Sequence, residues 1–252
     1  MNQSMGLLKT SRKFHKWLML FVGVQFVIWS ITGAYMVFFD IDYIHGDSLV
    51  INHQTKIDPN DIHYSLKSLL NDYPQAEQIS IGTFINQNVY RFSVAGKKLL
   101  IDATSGRLLS PLDKQTGQAA ARYYYSGDGQ VSKIELLIDN PPFELNPRVL
   151  PAWRINFNDF GSPSIYVSAQ TGQLVGKRHE FWRLFDWMFR FHIMDYGEQE
   201  EIDNILLFWI TLVAILACIS GLFLVYFRIF KKNSENVIPS LKATTMKKSD
   251  IL

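Results

Sequence analysis

The sequence predicts an integral membrane protein of the α+β class, in which two transmembrane helices flank a domain of helices packed on antiparallel sheet. Three observations predict it. Two uncharged apolar stretches, WLMLFVGVQFVIWSITGAYMVFF from Trp17 and ILLFWITLVAILACISGLFLVYF from Ile205, are each about 23 residues long, where roughly 20 suffice to cross hydrocarbon. Between them the hydrophobic pattern shortens to runs that alternate with polar residues, the period of strands. Basic residues gather outside both stretches, and acidic ones on the sides that face the domain.

The first stretch has too long an apolar core for a signal peptide and no small-x-small cleavage site after it, so it is expected to be retained as a span. Lys9, Arg12, Lys13 and Lys16 precede it, and Arg228, Lys231 and Lys232 follow the second stretch, which places both termini in the cytoplasm. The intervening segment then lies outside, opening with DIDYIHGD and closing with GEQEEIDN. The order expected is a cytoplasmic N-terminus (1–16), a first span (17–39), an outer domain (40–180), an aromatic membrane-edge helix (181–197), a second span (205–227) and a cytoplasmic tail (228–252). A net charge of +2 gives no case for nucleic acid, and the lone cysteine, Cys218, excludes an intrachain disulfide and reads as a small hydrophobe in mid-membrane.

Within the domain, NDIHYSLKSLLNDY after Pro59 has an Asn or Asp cap and apolar residues at helical spacing, and QISIGTF, VYRFSVAG and KKLLIDA read as three strands. Tyr90, Phe92 and Val94 alternate with Arg91, Ser93 and Ala95, as in a strand with one covered face. QTGQAAARYYYS reads as a second helix, KIELLID as another strand, and the prolines of NPPFELNPRVLP mark a loop. IDATSGRLL and IYVSAQTGQLVGK form a weak internal repeat, each closing a strand pair in a glycine turn. The run EQEE from Glu198 reads as a solvated helix start. No nucleophile-base arrangement, phosphate loop or metalloprotease motif occurs, which argues against hydrolytic catalysis.

RKFHKW leading into WSITGAYM, FWRLFDWMFRFHIMDY ahead of the second span, and the helix and strands ending in IDATSGRLL together resemble the PepSY-associated transmembrane family over nearly the whole chain. The membrane-flanking motifs carry most of that likeness. The resemblance implies a PepSY-like periplasmic domain in a bacterial inner-membrane protein, similar to larger members that look like haem proteins reducing ferric iron or ferric siderophores. His15 matches the histidine at the entrance of the first span and His192 that of the H-x-M-D-Y helix. This chain has two spans where those members have four.

Of six histidines, His15, His45 and His192 lie where a membrane cofactor could reach them, whereas His53, His63 and His179 look like surface or loop residues. Neutral imidazole is a good haem ligand, and the absence of C-x-x-C-H leaves only b-type haem, held by ligation and apolar packing. Phe14, Trp17, Trp182, Trp187, Phe189 and Phe191 would wall it, and Arg183 or Arg190 would meet propionates. One haem cannot join both faces of hydrocarbon about 30 Å thick, so His15 and His192 mark two sites. Two spans enclose a porphyrin poorly, so a homodimer forming a four-helix bundle is expected, with Gly23, Gly33, Gly221, Ser30, Thr32 and Ser220 as packing surfaces.

His45 and His192, both on the outer side, are the candidates for passing electrons to iron. His45 stands among Asp40, Asp42 and Asp47, where a hard cation such as ferric iron prefers oxygen ligands, and His45, Asp42 and Asp47 are the candidate metal residues. His45 would bind haem, receive iron or cap a turn with Gly46. The expected activity is that of a ferric reductase that draws electrons from quinol or another donor and feeds ferrous iron to an importer. Two rival readings stay open. The domain is a membrane-anchored binding or inhibitory module, sensitive to changes on its sheet at Arg91 or Arg154, or the chain is a non-redox accessory subunit of a transporter. Histidines beside spans are also ordinary interfacial residues.

Overall fold

The computed structural model describes residues 2–53, 56–197 and 204–231, and the EQEE run lies outside them. The chain forms two compact units, one made of Met1–Val37 with Trp187–Leu252 and the other of Phe38–Asp186.

The first unit is helical. Helix α1 (Asn2–Phe38) contains the first expected span, and α6 (Ile205–Tyr226) the second, followed by a π-helical turn, Phe227–Lys231. Asn204 caps α6 by accepting from Leu207 N–H at 2.7 Å. Both helices are long and apolar enough to cross a membrane. Their large side chains are uncovered, with Phe26 65 % and Leu222 70 % exposed, as lipid-facing residues are and core residues are not. The third member is the second half of α5 (Glu180–Ile193). This helix stops short of the expected 181–197, because Met194 turns to the left-handed region at φ 56°.

The second unit is an α+β domain in two halves. In the first, α3 (Leu66–Asp72) leads into an antiparallel sheet of β1 (Glu77–Phe84), β2 (Gln87–Val94) and β3 (Lys97–Asp102). In the second, α4 (Lys114–Tyr124) leads into β4 (Val131–Leu137), β5 (Ala152–Phe157), β6 (Ser164–Ser168) and β7 (Leu174–Arg178), paired in that order. Helix α3 is shorter than its sequence suggests. Asp58 caps a separate 3-10 turn at Pro59–Asp61, and the cap of α3 is Ser65, which accepts from Ser68 N–H. A short helix, α2 (Ile41–His45), precedes both halves between an Asp40 cap and Gly46.

The weak repeat is a structural one. Asp102 Oδ1 accepts from Thr104 and Ser105 N–H, and Ser168 Oγ accepts from Gln170 and Thr171 N–H. Each turn ends on a left-handed glycine, Gly106 at φ 73° and Gly172 at φ 67°, bonded back to the carbonyl of Asp102 or Ser168. Both faces of β2 are covered, not the one its alternation suggested. Tyr90 and Phe92 pack with Leu69 of α3, whereas Val89 joins Leu100, α4 and the inner face of the second sheet, where Trp153, Ile155, Ile165 and Val167 lie. Each such fully buried aliphatic contributes about 1.5–3 kcal/mol, which is what holds the halves together.

Candidate functional site

In the helical unit the two membrane-edge histidines are held by the same device. Nδ1 of His192 lies 2.8 Å from Thr32 Oγ1, and Nδ1 of His15 lies 2.8 Å from Ser220 Oγ. Each hydroxyl has one proton and already donates it along its own helix, Thr32 to the Ile28 carbonyl and Ser220 to that of Ala217, both at 2.8 Å. With the hydroxyl proton on the helix carbonyl the oxygen is free to accept, and in that arrangement each imidazole carries its proton on Nδ1 and presents a lone pair on Nε2. A glycine follows each hydroxyl residue beside the ring, and at Gly221 it makes the room. A Cβ on Gly33 would come 3.6 Å from His192 Cε1, and one on Gly221 only 3.0 Å from His15 Cε1.

The two arrangements sit toward opposite ends of the apolar span within α1. From His15 to Thr32 is about 17 residues, or about 25 Å along the axis. Trp29 Nε1 donates to the His192 carbonyl at 2.7 Å, fixing the end of α5 beside Thr32. Phe14 and Trp17 are 56 % and 63 % exposed beside His15, and Trp187 packs on Phe191, which meets Tyr196. Between the two ends, Gln25 is buried with no partner for its Nε2 among the described residues.

The sequence pointed to His15 and His192 but not to their orienting groups. Thr32, Gly33, Ser220 and Gly221 were expected to pack a second copy. The structure uses them within the chain, and the signal that would have found them is the hydroxyl-glycine pair in each span, Thr-Gly in one and Ser-Gly in the other.

The α+β unit holds the remaining candidates. His45, the exposed last residue of α2, stands near Asp47, but Asp40 is engaged as the α2 cap and Asp47 is paired with Lys177. Among the described residues no group of three or more His, Cys, Asp or Glu side chains is placed to hold a metal ion, so Asp42, His45 and Asp47 are not assembled into a cage. Arg183, expected to meet a propionate, is committed elsewhere. Its Nε and Nη2 hold both oxygens of buried Glu144 at 2.6 and 2.8 Å, and Nη1 meets Glu180 at 2.7 Å. Tyr166 donates a further hydrogen bond to Glu144. Burial alone would raise the Glu144 pKa, but the bonds from Arg183 and Tyr166 and the charge of Arg154 outweigh it and hold the carboxyl below its ordinary 4.5. Trp182 lies under the Arg178 guanidinium at 4.2 Å, so it too is occupied within the domain.

His179 is no surface residue. It is 1 % exposed, with Nε2 2.8 Å from the Tyr43 carbonyl and Nδ1 accepting from Trp182 N–H at 3.3 Å. Burial lowers its pKa despite the opposing bond to Tyr43, so this imidazole is kept neutral. Its burial escaped the sequence because the flanking KRHE reads as polar.

The chain matches the model of a family described as PepSY-associated TM region over residues 12–249. No curated protein and no solved structure matches it. Two apolar membrane-length helices around a two-sheet α+β domain fit that match, and the chain belongs to the PepSY-associated transmembrane family as a membrane-anchored α+β protein.

Proposed function

We propose that this membrane-associated PepSY protein is a b-type haem electron-transfer protein of the bacterial inner membrane that reduces ferric iron at the periplasmic face and so supports ferrous iron uptake. One observation carries the reading. Nδ1 of His15 and of His192 each meets a hydroxyl that also reaches its own helix carbonyl, and a hydroxyl donating to that carbonyl holds the ring with Nδ1 protonated and Nε2 as a lone pair. That tautomer and that anchoring would suit a histidine that holds haem iron, because an oxygen acceptor on the far nitrogen orients the ring and raises its basicity. Haem, once bound, supplies one-electron chemistry whose potential is set by its ligands and burial.

The rest of the proposal follows from the same residues. Ligands about 25 Å apart along the span call for two haems, one near each membrane face. A flat cofactor needs a second wall, which a second copy of the chain supplies across the exposed faces of α1 and α6. The basic flanks orient both termini to the cytoplasm, with quinol or another reductant as donor. His45 and His192 belong to the outer, iron-facing side.

The test is ferric reduction by the protein in liposomes, with a quinol supplied and a ferric chelate outside, followed by a ferrous-specific chromophore. Reduction should fall to the protein-free rate in His192→Ala and in His15→Ala, and persist in His63→Ala. Undiminished reduction in the His15→Ala, His192→Ala double variant would rule the reading out. The rival reading as an anchored binding module is favoured by one feature, a polar cleft in the α+β domain, and predicts a colourless protein.

A further inference from the structure

The cleft opens between the two halves of the α+β domain and has a volume of about 600 Å³, within the range of small-molecule sites. Arg91 of β2 forms part of its wall, with the stacked rings of His53 and Tyr123, apolar Ile51 and Leu174, and the ion-paired Lys177 and Asp47. The sequence marks Arg91 only as a residue of the sheet surface. In the fold it is half-buried on the face that looks toward the second half.

Its guanidinium is held in place. Nε donates to the Thr171 carbonyl at 2.9 Å and Nη2 to that of Thr83 at 2.8 Å. Nη1 lies over Gly82, where a Cβ would approach to 2.7 Å, so the glycine makes the room. Among the described residues no carboxylate pairs with Arg91, whereas Lys177 has Asp47 and Arg183 has Glu144. Two carbonyls would satisfy a neutral amide as a strap between the halves. A charge taken partly out of water without a counter-ion is costly there, and burial lowers the Arg91 pKa accordingly. Nη1 and the remaining N–H of Nη2 have no partner among the described residues, and guanidinium N–H groups of that kind can take a carboxylate with two parallel bonds.

We propose that this cleft is a binding site for a small organic carboxylate with an apolar or aromatic body, its carboxylate on Arg91 and its body between Ile51, Leu174 and the Tyr123–His53 pair. The site lies wholly within the α+β unit and does not depend on the haem reading.

The probe is naphthalene-2-carboxylate, with 2-naphthamide as its uncharged counterpart, titrated by calorimetry into the detergent-purified full chain. The carboxylate should bind at least tenfold more tightly than the amide. Arg91→Gln, which keeps a donor for the two carbonyls, should erase that preference. Asn52→Trp, which fills the cleft from its exposed rim and leaves the Arg91 bonds alone, should weaken the carboxylate at least tenfold while the protein melts as the wild type does. Equal binding of the two probes, no binding of either to the wild type, or undiminished binding to Asn52→Trp would each overturn the proposal.

Discussion

In the proposed haem protein the hydroxyls of Thr32 and Ser220 would do for His192 and His15 what carboxylates and carbonyls do for ligand histidines in water-soluble proteins, at lower electrostatic cost in a membrane. Thr32→Val and Ser220→Ala should cost about 0.6 kcal/mol of stability, the scale of an intramembrane hydrogen bond. They should nevertheless loosen haem retention about 10- to 100-fold, because the ring loses its tautomer and its aim. Equal haem content in wild type and both variants, measured by pyridine haemochrome, would make these bonds packing contacts only. Gln25 is a second residue-scale case. Its unpartnered amide in an apolar helix costs about 1–3 kcal/mol, so Gln25→Leu should raise the thermal midpoint in detergent. Two buried titrating groups contribute to the acid response of the α+β domain, beside exposed carboxylates such as Asp113 and Asp159 whose pKa values are also lowered. His179 has a folded pKa below its ordinary 6.5, so its contribution is complete above 6.5 and is lost as pH falls through the folded value. Glu144, held below 4.5, behaves alike in its own lower range. Stability should therefore begin to fall below about pH 6.5 and fall again below about 4.5, with His179→Phe removing the first step only in denaturant melts. At this scale the sequence was half legible. His15 and His192 stood out because a polar ring at the edge of a span is unusual, whereas Arg183 and His179 were misplaced because their partners, Glu144 and Tyr43, are remote in the chain.

Among the elements, both spans and most strands were readable, since a long uncharged run and a period of two leave little choice. What escaped was α2, five residues long and fixed by its caps, and β7, whose residues are all half-buried and show no alternation. The end of α5 was overrun because nothing in IMDY marks Met194 as left-handed. The two glycine turns were legible, and they make a test of the repeat. Alanine at Gly106 or Gly172 would face a left-handed backbone and, in addition, the ring of Tyr64 or Phe84 at 2.6 and 2.5 Å. Each substitution should cost at least about 1–3 kcal/mol. Gly172→Ala should cost more than Gly106→Ala, because Phe84 is buried in the core shared by both halves and Tyr64 is not. Urea titration of the two variants checks the order.

For the whole molecule, membership of the PepSY-associated transmembrane family and two membrane-length helices account for a membrane protein with an α+β domain between its spans. The proposed chemistry adds a dimer, two haem sites, one near each membrane face, and an outward flow of electrons. In that proposal the dimer follows from two spans being too few to wrap a porphyrin, so sedimentation in detergent should give twice the 29.1 kDa chain mass once detergent is subtracted. The most direct test of the central claim is the dithionite-reduced minus oxidised absorption spectrum of the purified protein after expression with ample haem, for wild type, His192→Ala and His53→Ala. The account predicts a sharp reduced α-band in wild type and His53→Ala that weakens or disappears in His192→Ala. A colourless wild type, or a band unchanged in His192→Ala, would contradict it.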